Sequence, residues 1–389
     1  MKFKIHSCIC LNIIYLVLFC EIHAEPKPPL KCNLTQKLKD EIKSYTPIVN
    51  RIIKSAVSGN SQGQTWKELA NFVDTFGNRI SGSQNLENAI DYMLNRSISY
   101  GLENVHGEPV EVPHWVRGNE RATLLSPRIQ KLNILGLGGS IGTPPEGITA
   151  PVIVVETFDE LQEKANEAQG KIVVFAEKWE GYGKTVQYRQ YAAVRGAKVG
   201  AVATLLRSIA PFSINSPHTG WQDYSDDVRK IPTAAITVED AEMLLRMYRQ
   251  GRSITINLYM EAKTLPPVQS RNTIAEIEGS KRPEQAVIVS GHLDSWDVGT
   301  GAMDDGGGAF ISWYSLVLLK QLNLRPKRTI RAILWTGEEE GLIGAFQYAK
   351  VHDKKDFNLL MESDEGTFNP NGLYFSGKDS TACILQEIL

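Results

Sequence analysis

The spacing of apolar residues changes along the chain, and the first part is helical. Within residues 35–57 apolar side chains recur every three or four positions, and the same spacing returns after Thr65 and after Ser83. Such a period places the apolar side chains on one face of a helix, so amphipathic helices are predicted in all three places. Pro47 is expected to bend or interrupt the first helix, because proline has no N–H to donate to the helical ladder.

Two local signals mark the limits of the second helix. Thr65 and Glu68 have the spacing of a capping box, in which each side chain caps the backbone N–H of the other residue, so the helix is expected to begin there. Gly77 is expected at the C-terminal cap, where glycine readily takes the left-handed conformation.

Residues 113–265 have a different pattern of apolar and loop-forming residues. Short apolar runs such as 151–155 alternate with glycine-rich loops, which predicts strands. A helix leading into a strand is predicted over 191–202, and another helix is predicted over 238–250. No group of ligand-type side chains occurs in this stretch. His218 stands alone beside Pro217, and we interpret it as a loop histidine rather than a metal ligand.

From residue 271 onward, strands and helices alternate. Strands are predicted at 271–277, 286–290, 329–335 and 357–361, and helices near 309–319 and 342–351. Alternation of this kind predicts an α/β fold in which helices cover both faces of a sheet.

One histidine and several acidic residues follow three of these strands directly. They are His292 and Asp294 after the first strand, with Asp304 in the next loop, then Glu338 and Glu339, and then Asp364. Open α/β sheets gather their ligands at the carboxyl ends of strands, and imidazole and carboxylate groups are natural zinc ligands. A solvated helix start, where glutamate suits the helix dipole, explains one acidic cluster. Because it does not explain three at equivalent positions, a metal site is predicted.

The spacing also predicts supporting roles. Asp294 lies two residues after His292, on the same side of an extended backbone, so it can accept a hydrogen bond from the second ring nitrogen and fix the tautomer. Asp304 can bridge two cations, since its two oxygens have spare lone pairs. Asp305 and Glu362 are expected either to support the metal ligands or to be structural, and Glu340 is expected to be a solvated helix residue.

Four motifs in this order resemble those of the M28 family of di-zinc exopeptidases. They are HLD at 292–294, GAMDDGGG at 301–308, TGEEEGLIG at 336–344 and MESDEG at 361–366. The resemblance implies a zinc-aminopeptidase-like α/β fold, a mixed sheet flanked by helices, with an inserted protease-associated-like domain. The expected division is a signal peptide at 1–24, a catalytic domain at 25–112 and 266–389, and the insert at 113–265.

The resemblance also implies a role for each site residue. His292 and Asp364 would hold one Zn²⁺, Asp304 would bridge it to a second, and Glu339 would hold that second ion. Glu338 would act as general base on a metal-activated water and pass the proton to the leaving amine. From the sequence alone, Glu338 and Glu339 are interchangeable. The family further implies small peptide substrates and a homodimer.

The chain departs from the family pattern in one respect. The family's second zinc takes a further histidine from a later loop, but none of the seven histidines follows Asp364. We therefore expect an incomplete C-terminus and an incomplete second zinc site, and His352 is not expected to substitute. A catalytically inactive binding protein on the same scaffold is the main alternative. A single-zinc acyltransferase of the glutaminyl cyclase type is disfavoured by the insert and by the complete Glu-Glu motif.

The net charge and the N-terminal segment indicate in which cellular compartment the protein is expected to act. A net charge of −2 gives no basic field for nucleic acid. Residues 1–24 combine Lys2 and Lys4 with a short apolar core, which predicts a secretory signal peptide, and no later stretch is predicted to span a membrane. Secretion is expected, with the endoplasmic reticulum, Golgi and lysosome as further compartments on the same route.

Two features of the mature chain fit a secretory protein. Cys32 and Cys383 remain after signal cleavage, and the sequence leaves open whether they form a disulfide or stay unpaired. Asn33 and Asn95 lie in glycosylation acceptor triplets.

Overall fold

The computed structural model describes residues 32–364, 366, 368–370 and 372–389. The predicted signal peptide at 1–24 lies outside the described residues. The helices are α1 (Gln36–Ser44), α2 (Thr46–Ser58), α3 (Gln64–Phe76), α4 (Gln84–Ser99), α5 (Phe158–Glu163), α6 (Ala165–Ala168), α7 (Tyr182–Lys198), α8 (Val238–Arg249), α9 (Gly307–Gln321), α10 (Ile343–Val351) and α11 (Asp379–Ile388). The strands are β1 (Glu103–Val116), β2 (Glu120–Ser126), β3 (Gln130–Leu132), β4 (Ile134–Gly136), β5 (Ile148–Val155), β6 (Ile172–Phe175), β7 (Ala203–Arg207), β8 (Thr233–Ile236), β9 (Thr255–Met260), β10 (Lys263–Ile277), β11 (Arg282–His292), β12 (Arg328–Trp335) and β13 (Phe357–Glu362).

The predicted interruption of the first helix is confirmed. The chain breaks at Tyr45, between α1 and α2, and Pro47 lies in the first turn of α2. Proline is tolerated there because the first N–H groups of a helix have no partner within the helix.

The predicted capping box is wrong, although the other end of the same helix is confirmed. Helix α3 begins at Gln64, one residue before Thr65, and its N-cap is Gly63 with φ 70° and no side-chain cap. Thr65 therefore lies inside the first turn, where it cannot serve as the N-cap. Gly77 caps the C-terminus with φ 62°, and its N–H donates to the Val73 carbonyl.

The first sheet is mixed and has the strand order β1-β10-β12-β11-β13. Strand β11 runs parallel to both β12 and β13, whereas β10 runs antiparallel to β1 and β12. His292 is in register with Trp335, and Ser290 is in register with Glu362. The carboxyl ends of three neighbouring strands therefore meet at one end of this sheet, which we call the site end.

Helices cover both faces of this sheet, as the alternation predicted. On one face α3, α4 and α9 bury a core that includes Phe72, Ile90, Phe310 and Trp313, all at most 1% exposed. On the other face α10 packs Tyr348 against the sheet. Each such side chain contributes about 1.5–3 kcal/mol on burial, so this core fixes the strands that carry the site.

The second sheet has the order β3-β2-β9-β5-β6-β7-β8-β4, and its strands lie between Glu120 and Met260. Strands β5 to β8 are parallel neighbours. The helix predicted at 191–202 is present as α7, but it begins earlier, at Tyr182, because Thr185 and Val186 also face the core. The helix predicted at 238–250 is α8.

The pairing of the two mature cysteines is settled by the fold. Cys32 and Cys383 form a disulfide, which joins the segment before α1 to α11. Within the described residues, no helix is both long and apolar enough to cross a membrane.

Candidate metal centre

The predicted site residues all lie at the site end of the first sheet. His292 is the last residue of β11 and is 0% exposed. Asp304 lies in the loop before α9, Glu338 and Glu339 follow β12, and Asp364 follows β13. The strand register brings together residues that are far apart in sequence, as the strand-end argument predicted.

Carboxylates surround one ring nitrogen of the histidine. His292 Nε2 lies 3.1 Å from Asp304 Oδ1, 3.5 Å from Asp364 Oδ1 and 3.7 Å from Glu338 Oε2. Two groups have ligand atoms within 4.8 Å of one another: His292 with Asp304 and Glu339, and His292 with Glu338 and Asp364. In the described part of the chain, His292 is the histidine of both groups.

Asp294 joins the histidine to the loop after β12. Its backbone carbonyl lies 3.0 Å from His292 Nδ1, and its Oδ1 lies 3.7 Å from the same nitrogen. Its two carboxylate oxygens accept the backbone N–H groups of Glu338 and Glu339, each at 3.2 Å. Asp294 therefore positions the ring mainly through its main chain, and it positions the Glu-Glu turn through its side chain.

Asp305 ties β11 to the start of α9. Its carboxylate is fully buried and accepts the N–H groups of His292 and Gly308, both at 3.0 Å. The peptide bond between Asp304 and Asp305 is cis. A side chain on Gly308 would overlap the Ser363 carbonyl, so glycine is needed for the helix to approach the end of β13. Glu362, also expected to have a supporting or structural role, is exposed at the end of β13.

Arg79 anchors the loop that carries the ligands, a role that the sequence did not predict. Its guanidinium is fully buried and donates to the carbonyls of Leu293 (2.8 Å), Thr300 (2.6 Å) and Gly301 (3.0 Å). Burial lowers the pKa of Arg79 to about 10, while the charges of nearby carboxylates, Asp294 first, oppose that shift. These carbonyl partners lie more than 200 residues away in the chain, so no local pattern indicated them.

The electrostatics of the cluster favour a cation. Burial, together with the neighbouring Asp364 and Asp294, raises the pKa of Glu338 to about 8 against the opposing charge of His292. Burial likewise raises the pKa of Glu339 well above its usual range. Burial opposes the charged form of His292, yet the surrounding aspartates raise its pKa well above the usual value. Oxygen and imidazole donors crowded together with so little positive charge fit a divalent metal.

Glu340 is not the solvated helix residue that the sequence predicted. It is 9% exposed, and burial raises its pKa to about 8. The chain forms a tight turn here, with the N–H groups of Gly341 and Leu342 donating to the Glu338 carbonyl, and α10 begins only at Ile343. The turn directs Glu340 inward, toward Asp294.

Loops of the second sheet pack against residues 293–304, the segment after β11 that leads to Asp304 and that we call the ligand loop. Trp296 lies two residues after Asp294 and contacts Gly138, where any side chain would overlap both Trp296 and Trp221. Asp297 accepts two hydrogen bonds from Arg117, at 2.7 and 2.6 Å. Both contacts join residues far apart in the chain, so no local pattern predicted them.

The other predicted positions lie away from the cluster. His352 stacks on Tyr348 with ring centroids 3.9 Å apart and lies 3.0 Å from the Glu108 carboxylate. Its placement agrees with the expectation that it does not join the site. Asn33 and Asn95 are both exposed, as glycosylation would require.

Comparison with known proteins gives relatives along most of the chain. A model of Peptidase family M28 matches residues 272–388. Carboxypeptidase Q of Homo sapiens is 56% identical over 378 residues, which make up 97% of this chain and 80% of that protein. The structure of a peptidase M28 precursor from Shewanella amazonensis is 34% identical with a TM-score of 0.79, over 84% of this chain and 75% of the other. BSAP, a zinc aminopeptidase from Bacillus subtilis, shares the fold at 21% identity with a TM-score of 0.58, over 77% of this chain and 68% of its own.

Proposed function

Because the chain belongs to peptidase family M28 and is a metallo-exopeptidase of that family, we propose that it hydrolyses dipeptides and other short peptides with the help of zinc. The observation that carries the proposal is the cluster itself. Three carboxylates lie within 3.7 Å of His292 Nε2, at the meeting point of three strand ends. The names of the relatives, a carboxypeptidase and a zinc aminopeptidase, support both the reaction and the metal.

The proposed ligands are drawn from the two groups of donors. His292 and Asp364 would hold one Zn²⁺ and Glu339 would hold a second, with Asp304 as the ligand shared by both. Bound zinc supplies Lewis acidity, which polarises the peptide carbonyl and makes water acidic enough to attack near neutral pH. The remaining steps belong to side chains of this chain.

Glu338 is the proposed general base. Its Oε2 reaches the same histidine nitrogen as the ligands, and 14% of its side chain stays accessible. A carboxylate in that place takes a proton from the attacking water and delivers it to the leaving amine. Burial favours the protonated form of this carboxylate, which increases its strength as a base.

The direct test is hydrolysis of alanyl-leucine by the purified 389-residue chain. We expect release of free amino acids, complete loss after treatment with a chelator, and recovery when zinc is added back. Hydrolysis that persists at full rate in the chelator would overturn the metal assignment. The absence of any hydrolysis by zinc-loaded, folded protein would overturn the peptidase assignment.

A second candidate is a peptide-binding protein without catalysis. Within the described residues, neither donor group contains a second histidine, so the second ion would rest mainly on Asp304 and Glu339. Zinc-dependent peptide binding without turnover would support this candidate over the first.

The location, assembly and domain division belong to the same proposal. We propose secretion through the endoplasmic reticulum and Golgi, with the lysosome as a further destination; the disulfide between Cys32 and Cys383 supports an oxidising compartment. Glycans on Asn33 and Asn95 and a homodimer complete the proposal. Residues 113–265 form the inserted domain, and the segments 25–112 and 266–389 form the catalytic one.

A further inference from the structure

The carboxylate cluster lies close to loops of the second sheet that carry the opposite charge. In the cluster, 71% of the Asp304 side chain is accessible to water. Gly138, in a loop of the second sheet, packs against Trp296, and the same sheet carries Arg189 on α7 and His218 in the loop after β7. Burial opposes ionisation of Asp304, but the hydrogen bond and the charge of His292, together with the charge of Arg189, hold its pKa below the usual range.

Arg189 has no carboxylate partner in the described part of the chain. It donates to the Thr219 carbonyl at 3.2 Å and to the Tyr182 hydroxyl at 2.8 Å, and its Nε is buried without a hydrogen-bond partner. A guanidinium carries more N–H donors than these two bonds use. Holding a half-buried charge without a counter-ion is unfavourable, so the site is suited to an anion that comes from outside the chain.

The guanidinium is held in place before any ligand arrives. Besides its two hydrogen bonds, it lies flat against the backbone of Gly220, where any side chain would overlap it. It also lies over the ring of Tyr182, 5.5 Å from the centroid. A donor fixed in this way loses little conformational entropy when a carboxylate binds.

The loop that holds Arg189 is itself fastened to the metal site. The N–H of Gly138 donates to the Gly220 carbonyl at 2.9 Å, and the N–H of Gln222 donates to the Gly138 carbonyl at 3.1 Å. Gly138 in turn packs against Trp296, which lies on the ligand loop. These contacts fix the position of Arg189 relative to His292.

Two further polar side chains belong to the same loop. Gln222 is 2% exposed, and neither its Nε2 nor its Oε1 has a partner. His218 remains accessible to water, yet desolvation first, and then the charge of Arg189, lower its pKa to about 4. A neutral imidazole and an amide add donors without adding charge, so the positive charge beside this loop comes from Arg189.

We propose that Arg189 binds a carboxylate of the peptide substrate, namely the free α-carboxylate of its C-terminal residue, and so makes the enzyme specific for peptides that end just beyond the scissile bond. The proposal rests on the peptidase function proposed above. An acidic side chain of the substrate offers the same chemistry, so the test separates the two sources.

The test measures binding without turnover, in protein kept metal-free with a chelator. Calorimetry compares alanyl-leucine, alanyl-leucinamide and the α-amide of alanyl-glutamate, which has only a side-chain carboxylate. Hydrogen bonds to a charged group predict that the wild type binds the free acid about 10- to 100-fold more tightly than either amide. Arg189→Gln should abolish this preference, and Arg189→Lys should retain part of it.

Arg195→Gln is the matched control, because Arg195 is an exposed arginine on the same helix. It should keep the full preference, and thermal unfolding shows whether each variant is folded. No preference in the wild type, or an equal preference in Arg189→Gln, overturns the proposal. Tight binding of the glutamate α-amide that depends on Arg189 would assign the site to a side-chain carboxylate and overturn the C-terminal assignment.

Kinetics separates this proposal from the peptidase proposal. With zinc present, Arg189→Gln should lower kcat/KM for alanyl-leucine by about the same 10- to 100-fold, mainly through KM, and should leave kcat/KM for the amide nearly unchanged. If the zinc-loaded wild type hydrolyses neither peptide, the peptidase proposal fails, and the binding ratio alone decides the role of Arg189.

Discussion

The first sheet carries carboxylates at both of its ends, and the two sets are held in opposite ways. At the site end, Glu338 and Glu339 lie among other acids, and burial raises their pKa values. At the opposite end, Glu103 in β1 accepts hydrogen bonds from Arg325 and Lys320, the first of which contributes most to lowering its pKa to about 2. Carboxylates that stabilise a fold have hydrogen-bonded lysines or arginines beside them, whereas in the described residues neither Glu338 nor Glu339 has such a partner.

The largest expected effect separates the two glutamates of the site end. Glu338→Gln should lower kcat by about 10²- to 10⁴-fold with zinc content unchanged, because it removes a general base. Glu339→Gln should lower both activity and zinc content, because it removes a ligand. Zinc analysis with a dipeptide assay distinguishes them, and Glu103→Gln is the control at the opposite end. The reverse pattern would exchange the roles of Glu338 and Glu339.

The next prediction compares how much one ion pair at each end of the first sheet contributes to the free energy of unfolding. Arg117 and Asp297 join the second sheet to the ligand loop, with side chains only 9% and 20% exposed. Arg117→Ala should lower the free energy of unfolding by about 3 kcal/mol, because it leaves Asp297 half-buried without its partner. Lys320 and Glu103 are 35% and 27% exposed, so Lys320→Ala should cost less than about 1 kcal/mol. Urea unfolding measures both, and equal losses would contradict the comparison.

The contributions of Glu338 and Glu103 to the free energy of unfolding should change with pH in opposite directions. The pKa of Glu338 is raised to about 8 in the fold, so the folded state holds its proton more tightly than the unfolded chain does. In metal-free protein its contribution is fully present at low pH and is lost as pH rises from about 4.5 to about 8. Glu338→Gln should therefore stabilise metal-free protein by roughly 1–3 kcal/mol at pH 8 and flatten this part of the profile. A variant no more stable than wild type at pH 8 would contradict the raised pKa of Glu338.

The smallest expected change in stability is that of Glu103→Gln, at the end of the first sheet opposite the site. Because the pKa of Glu103 is lowered to about 2, its contribution is fully present above about pH 4.5 and is lost as pH falls toward 2. Its partners are largely exposed, so Glu103→Gln should cost only about 0.5–1 kcal/mol at pH 7. The difference from wild type should vanish near pH 2. An effect that persists unchanged at that pH would show that the loss is not electrostatic.

The sequence predicted the site because the site follows from strand ends. Each ligand comes directly after an apolar run or in the loop next to it, and the parallel order of β12, β11 and β13 brings those ends together. The first break between helices was equally local, since Pro47 alone determines where α2 can begin.

The parts that the sequence did not predict depend on contacts across the chain. Arg79, Arg117 and Arg189 each donate hydrogen bonds to a loop from another part of the chain. No residue near them in sequence indicates which loop that is. Glu340 was mistaken for a helix residue because a turn of four residues and the start of a helix have the same polar composition. His218 was correctly interpreted as a loop residue, but its electrostatic interaction with Asp304 became visible only in the fold.

The most direct test of the account is the zinc content of the purified, folded 389-residue chain beside that of its His292→Ala variant. Mass spectrometry under native conditions gives the number of ions per chain after exhaustive dialysis. The account predicts at least one zinc ion per chain in the wild type, with a second held more weakly by Asp304 and Glu339, and loss of zinc in the variant, since both donor groups share His292. A wild type without zinc, or a variant that retains as much as the wild type, would contradict the assignment of this cluster as a metal centre.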